Sequence, residues 1–188
     1  MGQVFDVLRA RLDEDGIGYD VLLGHTALRF GFRTEERAWA SVAQAHEAAE
    51  LLVLVGILHE RVEARRRAAV AELLMRINLR LQLGNFELDF DDGEIRYKTS
   101  IDVEGGELTS KMIDNLLRAN LSTINRYFAG MMELIYGNQP PSEIIKRIET
   151  PPSGSDAVDE EESEDDDDEE MPFAPDEDEE EEEGGKRF

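Results

Sequence analysis

The sequence contains no cysteine, and this absence removes several kinds of chemistry. Disulfides, a thiol nucleophile and thiolate metal ligands are all excluded, and a reducing compartment is favoured. Basic residues are scarce as well: 20 Lys and Arg stand against 44 Asp and Glu in 188 residues, for a net charge of −24. Because contacts to nucleic-acid phosphates are made by Lys and Arg, this balance predicts that the protein does not bind nucleic acid in general.

Long apolar runs are also missing. The longest extends from Leu51 to Leu58, whereas a membrane-spanning helix needs about 20 apolar residues. Residues 1–6 do not combine a basic segment with an apolar one, so we expect no secretory signal. The sequence therefore predicts a soluble cytoplasmic protein without a membrane partner.

The motifs of common enzyme sites are absent from the sequence. No serine lies in a Gly-x-Ser-x-Gly frame, and no phosphate-binding loop is present. His25, His46 and His59 lie in separate predicted turns, which argues against a shared metal site. We therefore expect a protein that is not an enzyme and needs no cofactor or metal.

The negative charge is concentrated at one end of the chain. Between Pro151 and Phe188, 20 Asp and Glu against Lys186 and Arg187 give a charge of −18, which leaves −6 for residues 1–150. A segment with so little to bury and so much self-repulsion is expected to be disordered. The sequence thus predicts one folded domain, residues 1–150, and a disordered polyacidic tail, residues 151–188.

The domain shows clear helix and strand patterns. They predict helices at residues 3–14, 63–81 and 109–136, a half-buried strand at 28–33, a hairpin at 85–103 and a last short turn at 142–148. Residues 38–50 are ambiguous because their six alanines favour a helix, whereas the buried-strand pattern that follows favours two paired strands, which we prefer. The resulting order, α-βββ-α-ββ-α, predicts an α+β fold with an antiparallel sheet packed by helices.

The hairpin carries the most specific local prediction. Asp92-Gly93 suits a two-residue turn in which both central residues have positive φ. That turn would pair Leu88 with Tyr97, and Glu87 with Lys98. The acidic residues around the turn suggest a calcium loop only superficially, because Gly93 stands fifth from Asp89 where the calcium template has glycine sixth.

Several segments resemble one bacterial family. The hairpin reads LGNFELDF at residues 83–90 and DGEIRYKTSIDVEG at residues 92–105; TALRFGF at 26–32, RYF at 126–128 and IYGN at 135–138 accompany it. Together they resemble the YbjN-domain family over roughly residues 1–148. The resemblance implies a type III secretion chaperone-like fold, strands at residues 38–45 and 51–58, a role as a sensory-transduction regulator, and neither catalytic residues nor a cofactor.

The helix at 109–136 has an apolar face that is wider than one sheet requires. We predict that five of its residues form a partner or dimer surface: Met112, Leu121, Met131, Met132 and Leu134. Flexible thioether side chains suit adaptable contacts. The alternative is ordinary core packing, and a homodimer is a hypothesis at this point.

Two charged segments are further candidates for binding. Residues 65–67, joined by Arg61 and Arg76, form either a basic patch or a solvated helix face. In the tail, Met171, Pro172 and Phe173 make an apolar island within acidic residues, which is either a docking motif for a partner or part of a solvated tail.

These observations predict a non-enzymatic protein-binding module that acts as a regulator, chaperone or adaptor on a protein partner. The alternative is a regulator whose acidic tail mimics nucleic-acid charge and sequesters a basic protein.

Overall fold

The fold is that of a computed structural model, in which residues 3–22, 24, 26–33 and 38–150 are described. Within these residues, four α-helices and six strands follow one another. They are α1 (Gln3–Glu14), β1 (Tyr19–Leu22), β2 (Ala27–Arg33), β3 (Ala38–His46), β4 (Leu51–Arg61), α2 (Arg67–Asn78), β5 (Asn85–Leu88), β6 (Glu94–Asp102), α3 (Ser110–Tyr136) and α4 (Pro141–Glu149). The α+β class predicted from the sequence is confirmed. The predicted tail and its Met171, Pro172 and Phe173 lie outside the described residues.

All six strands form one antiparallel sheet in the order β1-β2-β3-β4-β6-β5. The predicted order had five strands, and β1 is the addition. This strand has only four residues, and two of them, Asp20 and Val21, are exposed. Its sequence therefore lacks the alternation of buried and exposed residues by which a longer half-buried strand is detected.

The alanine-rich segment is a strand, as preferred above. Ala43 and Ala45 of β3 are buried in the core that contains Phe5 and Leu8 of α1. Small side chains at these two positions leave room for the bulkier residues of α1 above the sheet. Burial against a helix has thus overridden the helix propensity of alanine in this segment.

The hairpin is present, but its predicted register is wrong by two residues. Leu88 pairs with Ile95, and Phe86 pairs with Tyr97. The turn is longer than expected because, of its central residues, only Gly93 has positive φ, at +80°, and a two-residue turn of the expected type needs two. A shift of two residues keeps each side chain on its predicted face of the sheet.

The four helices pack on the same face of the sheet and enclose two hydrophobic cores. One core lies under α1 and the beginning of α3, and the other lies between α2, the rest of α3, α4 and the sheet. The Oγ1 of Thr109 caps α3 by accepting a hydrogen bond from the backbone N–H of Met112 at 3.3 Å. This long helix therefore begins where the sequence predicts.

The predicted last short turn is in fact a nine-residue helix, α4. Ile144 and Ile145 are buried, and they belong to the core that α4 shares with α2 and α3. Gly130 of α3 allows this contact, because a Cβ atom there would lie 2.5 Å from Cδ1 of Ile148. The short segment is thus helical by virtue of its burial against two other helices.

Candidate protein-binding surfaces

The face of the sheet opposite the helices carries an aliphatic patch, which we call the open face. It consists of Ala40, Val42, Leu51, Val53, Val55 and Ile57. All six are half-buried, and neither hydrophobic core includes any of them. Among the described residues, the open face is therefore covered by no helix.

Charged side chains border the open face along β6. Asp102 lies opposite Leu51, Lys98 opposite Val55, and Arg96 opposite Ile57. Ser100, between Asp102 and Lys98, is exposed. One end of this border is thus acidic and the other end basic.

The basic part of the border is held by ion pairs. Lys98 Nζ donates to Oε1 of Glu87, and Arg96 donates to Oε1 of Glu94. Burial acts to raise the pKa of Glu87, but hydrogen bonds from Lys98 and Asn85 outweigh it and lower this pKa below its ordinary value. The position of Lys98 is consequently set by charge pairing across the hairpin, and that of Arg96 by pairing along β6.

A second surface is a cleft of about 670 Å³ at the β1 edge of the sheet, which we call the aromatic cleft. Its lining includes four aromatic residues, Tyr19, Phe30, Phe32 and Trp39. The rings of Phe30 and Phe32 meet edge to face with centroids 5.4 Å apart, and Phe32 lies 6.2 Å from the ring of Trp39. Volume and composition are in the range typical of ligand-binding clefts.

Two of the four aromatic residues in the aromatic cleft carry a polar group, Tyr19 and Trp39, and only Trp39 lacks a hydrogen bond for it. The side chain is buried, and its Nε1–H finds no acceptor among the described residues. By contrast, Tyr19 donates its hydroxyl hydrogen to Asp13 Oδ1 at 2.8 Å. A buried donor without a partner costs about 1–3 kcal/mol. Trp39 is therefore a candidate donor to a ligand that displaces the groups covering its Nε1 atom, which has almost no accessible surface in the free chain.

The edge of β2 next to the cleft is also unpaired in part. The ladder between β1 and β2 ends at the pair Tyr19 and Phe30, although β2 continues to Arg33. Beyond Phe30, no described strand lies on the outer side of β2. Such an edge can accept another extended chain through backbone hydrogen bonds.

The structure divides the five residues predicted on α3 between core and surface. Met131 and Leu134 are buried in the core, with 0% and 1% of their surface exposed, so they cannot form an exposed face in this fold. Met112, Leu121 and Met132 are half-buried and pack against the cores. The wide apolar face of α3 is explained by its position between the sheet, α1, α2 and α4, which sequence periodicity could not reveal.

The predicted basic patch is largely occupied by contacts within the domain. Arg61 pairs with Glu94, Arg65 with Glu63, and Arg76 with Glu72. Arg67 donates to the backbone carbonyls of Val62 and Phe90. These contacts favour the solvated helix face over an anion-binding patch.

The histidines are differently placed than predicted. His59 lies within β4 rather than in a turn, and His46 is the last residue of β3. His25 lies outside the described residues. Within the part of the chain that the structure describes, no three His, Asp or Glu residues come together as metal ligands, and no helix has the length and apolarity to cross a membrane.

Three solved structures align with this chain at low sequence identity. The E. coli protein YbjN, described as "a putative transcription regulator", is 16% identical with a TM-score of 0.49, over 69% of this chain and 87% of its own. The HopA1–SchA chaperone–effector complex is 17% identical with a TM-score of 0.42, over 65% of this chain and 92% of the matched chain. The ExsC–ExsE complex is 15% identical with a TM-score of 0.46, over 73% of this chain and 100% of the matched chain.

Sequence comparison gives a family. No match was found among curated proteins. The profile of the family described as "YbjN: Putative bacterial sensory transduction regulator" matches residues 5–133, which include most of α1, the whole sheet and most of α3. The chain therefore belongs to the YbjN family.

Proposed function

We propose that this protein is a regulator that acts by binding an extended segment of another protein in the aromatic cleft. The observation that carries the proposal is the buried Nε1–H of Trp39, which has no acceptor among the described residues in a cleft with three further aromatic residues. The description of the family, a regulator of sensory transduction, is in keeping with such a role.

The chemistry of the cleft favours a peptide as the ligand. A backbone carbonyl of an extended segment can accept the Trp39 Nε1–H, while its neighbouring groups pair with the outer edge of β2 beyond Phe30. Apolar side chains of the segment would contact Phe32, which is half-buried between the two cores. Backbone pairing supplies affinity, and the aromatic wall selects the side chains.

The proposal is tested by capture of partners with matched variants of the full chain. Trp39→Phe keeps an aromatic ring but removes the donor, so we expect partner retention to fall at least tenfold, as loss of a buried hydrogen bond of about 1.4 kcal/mol or more would produce. Quantitative mass spectrometry of proteins retained from a native lysate measures the effect.

The control is Leu79→Thr, which changes an apolar residue that is 85% exposed on the far side of the sheet from the open face. We expect this variant to retain the same proteins as the wild type. Equal retention by the wild type and Trp39→Phe would overturn the proposal, provided that both proteins unfold at the same urea concentration.

A further inference from the structure

We infer that the open face is the contact surface of a symmetric homodimer, in which two copies of the chain pack sheet against sheet. This inference concerns the open face around β4, whereas the proposed function concerns the cleft at the edge formed by β1 and β2; the two surfaces meet at Ala40. It rests on the apolar residues of the open face, on its size and on the charges along β6.

The apolar centre of the open face supplies the driving force. Val55 of β4 lies opposite Val42 of β3, and Val53 lies opposite Gln44; all four side chains are half-buried in the single chain. A contiguous aliphatic patch on a sheet surface is removed from water when a second layer packs on it. The extent of the sheet permits this, since six strands of four to eleven residues give roughly 25 Å by 20 Å in plan.

That extent is adequate for a stable dimer. Because side chains project from the sheet, the solvent-accessible area of this face is larger than the area of its flat outline. The resulting area approaches the about 800 Å² per partner of a standard specific interface.

The charges along β6 specify how the two copies are arranged. Consider a two-fold axis that lies parallel to the sheet, runs perpendicular to the strands and passes between Val53 and Val55. It places Val53 of each copy over Val55 of the other copy. The same operation places Asp102 over Arg96 and Ser100 over Lys98. The acidic end of each border thus meets the basic end of the other, and every contact occurs twice, as in an isologous interface.

The other two-fold axis that stacks the sheets with their strands aligned is unfavourable. An axis parallel to the strands would place β3 over β6 of the second copy. Val42 would then cover Lys98, and Ala40 would cover Arg96, which would bury two cations against aliphatic groups without new partners. The same axis would place His46 over Asp102, but the two buried cations make it the less favourable choice. We therefore assign the perpendicular axis, with the strands of the two sheets crossing at about 30°.

Sedimentation equilibrium of the full chain tests the dimer. We expect a mass of two chains at tens of micromolar, and a mass of one chain for the double variant Val53→Thr and Val55→Thr. Threonine keeps the β-branched shape, so the strand is retained while the patch becomes polar. Leu79→Thr, with the same type of change outside the open face, is expected to stay dimeric.

Two results would overturn the inference. One is a mass of a single chain for the wild type at these concentrations. The other is a dimer that the double variant leaves unchanged, because the contact would then lie elsewhere on the molecule.

Substitution of the exposed Ser100 tests the arrangement itself. Ser100→Glu adds two pairs with Lys98 of the opposing copies, and Ser100→Lys adds two repulsions. Each surface charge pair changes the dissociation constant of the dimer by a factor of about 1.5 to 5. Because each substitution acts twice in the dimer, the dissociation constant should fall roughly 2- to 30-fold for Ser100→Glu and rise by a similar factor for Ser100→Lys.

Net charge alone predicts the opposite order for these two variants. In a chain of charge −24, one more negative charge increases the repulsion between copies, and one more positive charge reduces it. Weaker dimerisation of Ser100→Glu than of Ser100→Lys would therefore overturn the proposed arrangement.

Discussion

Gly56 shows how a single residue determines the distance between a helix and the sheet. It lies in the centre of β4 beneath α3, and a Cβ atom there would be 2.3 Å from Oδ1 of Asn120 and 2.6 Å from Cδ1 of Ile124. Nδ2 of Asn120 donates to the backbone carbonyl of Tyr97 at 3.1 Å within the core. The absence of a side chain at Gly56 therefore permits this buried hydrogen bond between α3 and β6.

We predict that Gly56→Ala lowers the free energy of unfolding by about 1–3 kcal/mol, because the added methyl group forces α3 away from the sheet. Urea denaturation followed by circular dichroism measures the change. Gly18→Ala is the matched control, since a Cβ atom at Gly18 meets nothing within 4 Å. A similar loss of stability in both variants would contradict the role assigned to Gly56.

At the scale of the element, the hairpin of β5 and β6 is the part whose stability responds to acid. The pKa of Glu87 is lowered in the folded chain, mainly by its hydrogen bonds from Lys98 and Asn85 acting against burial. A lowered pKa stabilises the fold at pH values above the ordinary pKa of glutamate, about 4.3. This contribution is lost as the pH falls through the lower pKa of the folded state.

We predict that Glu87→Gln is less stable than the wild type at pH 6 and that the difference shrinks below about pH 4. Urea midpoints of both proteins at a series of pH values measure it. A difference that stays constant with pH would show that the charge of Glu87 does not contribute.

The elements also show what local sequence can and cannot predict. Both hairpin strands and their faces followed from the alternation of apolar residues, but the register depended on the turn type. Phe90, which a two-residue turn at Asp92-Gly93 would place in a strand, is 58% exposed in the turn. Propensity could not distinguish the long hairpin turn from a two-residue turn, because contacts from outside it contribute: Arg67 donates to the carbonyl of Phe90, and Gly93 lies against the backbone of Val62.

At the scale of the whole molecule, the α+β class and the family followed from the sequence, whereas the two binding surfaces did not. The aromatic cleft combines Tyr19 of an undetected strand with Phe32 and Trp39. The open face became visible only when all helices proved to pack on one side of the sheet. The residues predicted on α3 lie at the centre of the fold because helix periodicity cannot tell how many neighbours cover an apolar face.

The central claim is that Trp39 binds a partner segment. This binding can be followed through the indole N–H group of Trp39. The sequence contains one tryptophan, so the ¹⁵N–¹H spectrum of the full chain has one indole N–H signal. The measurement is this signal before and after addition of the protein that the wild-type chain retains from the lysate.

The account predicts a downfield shift of the indole proton and slower exchange with water, because the Nε1–H gains an acceptor. Those backbone amides of residues 31–33 that point away from β3 should slow in exchange together with it. An indole signal that keeps its position and its exchange rate in the complex would contradict the account.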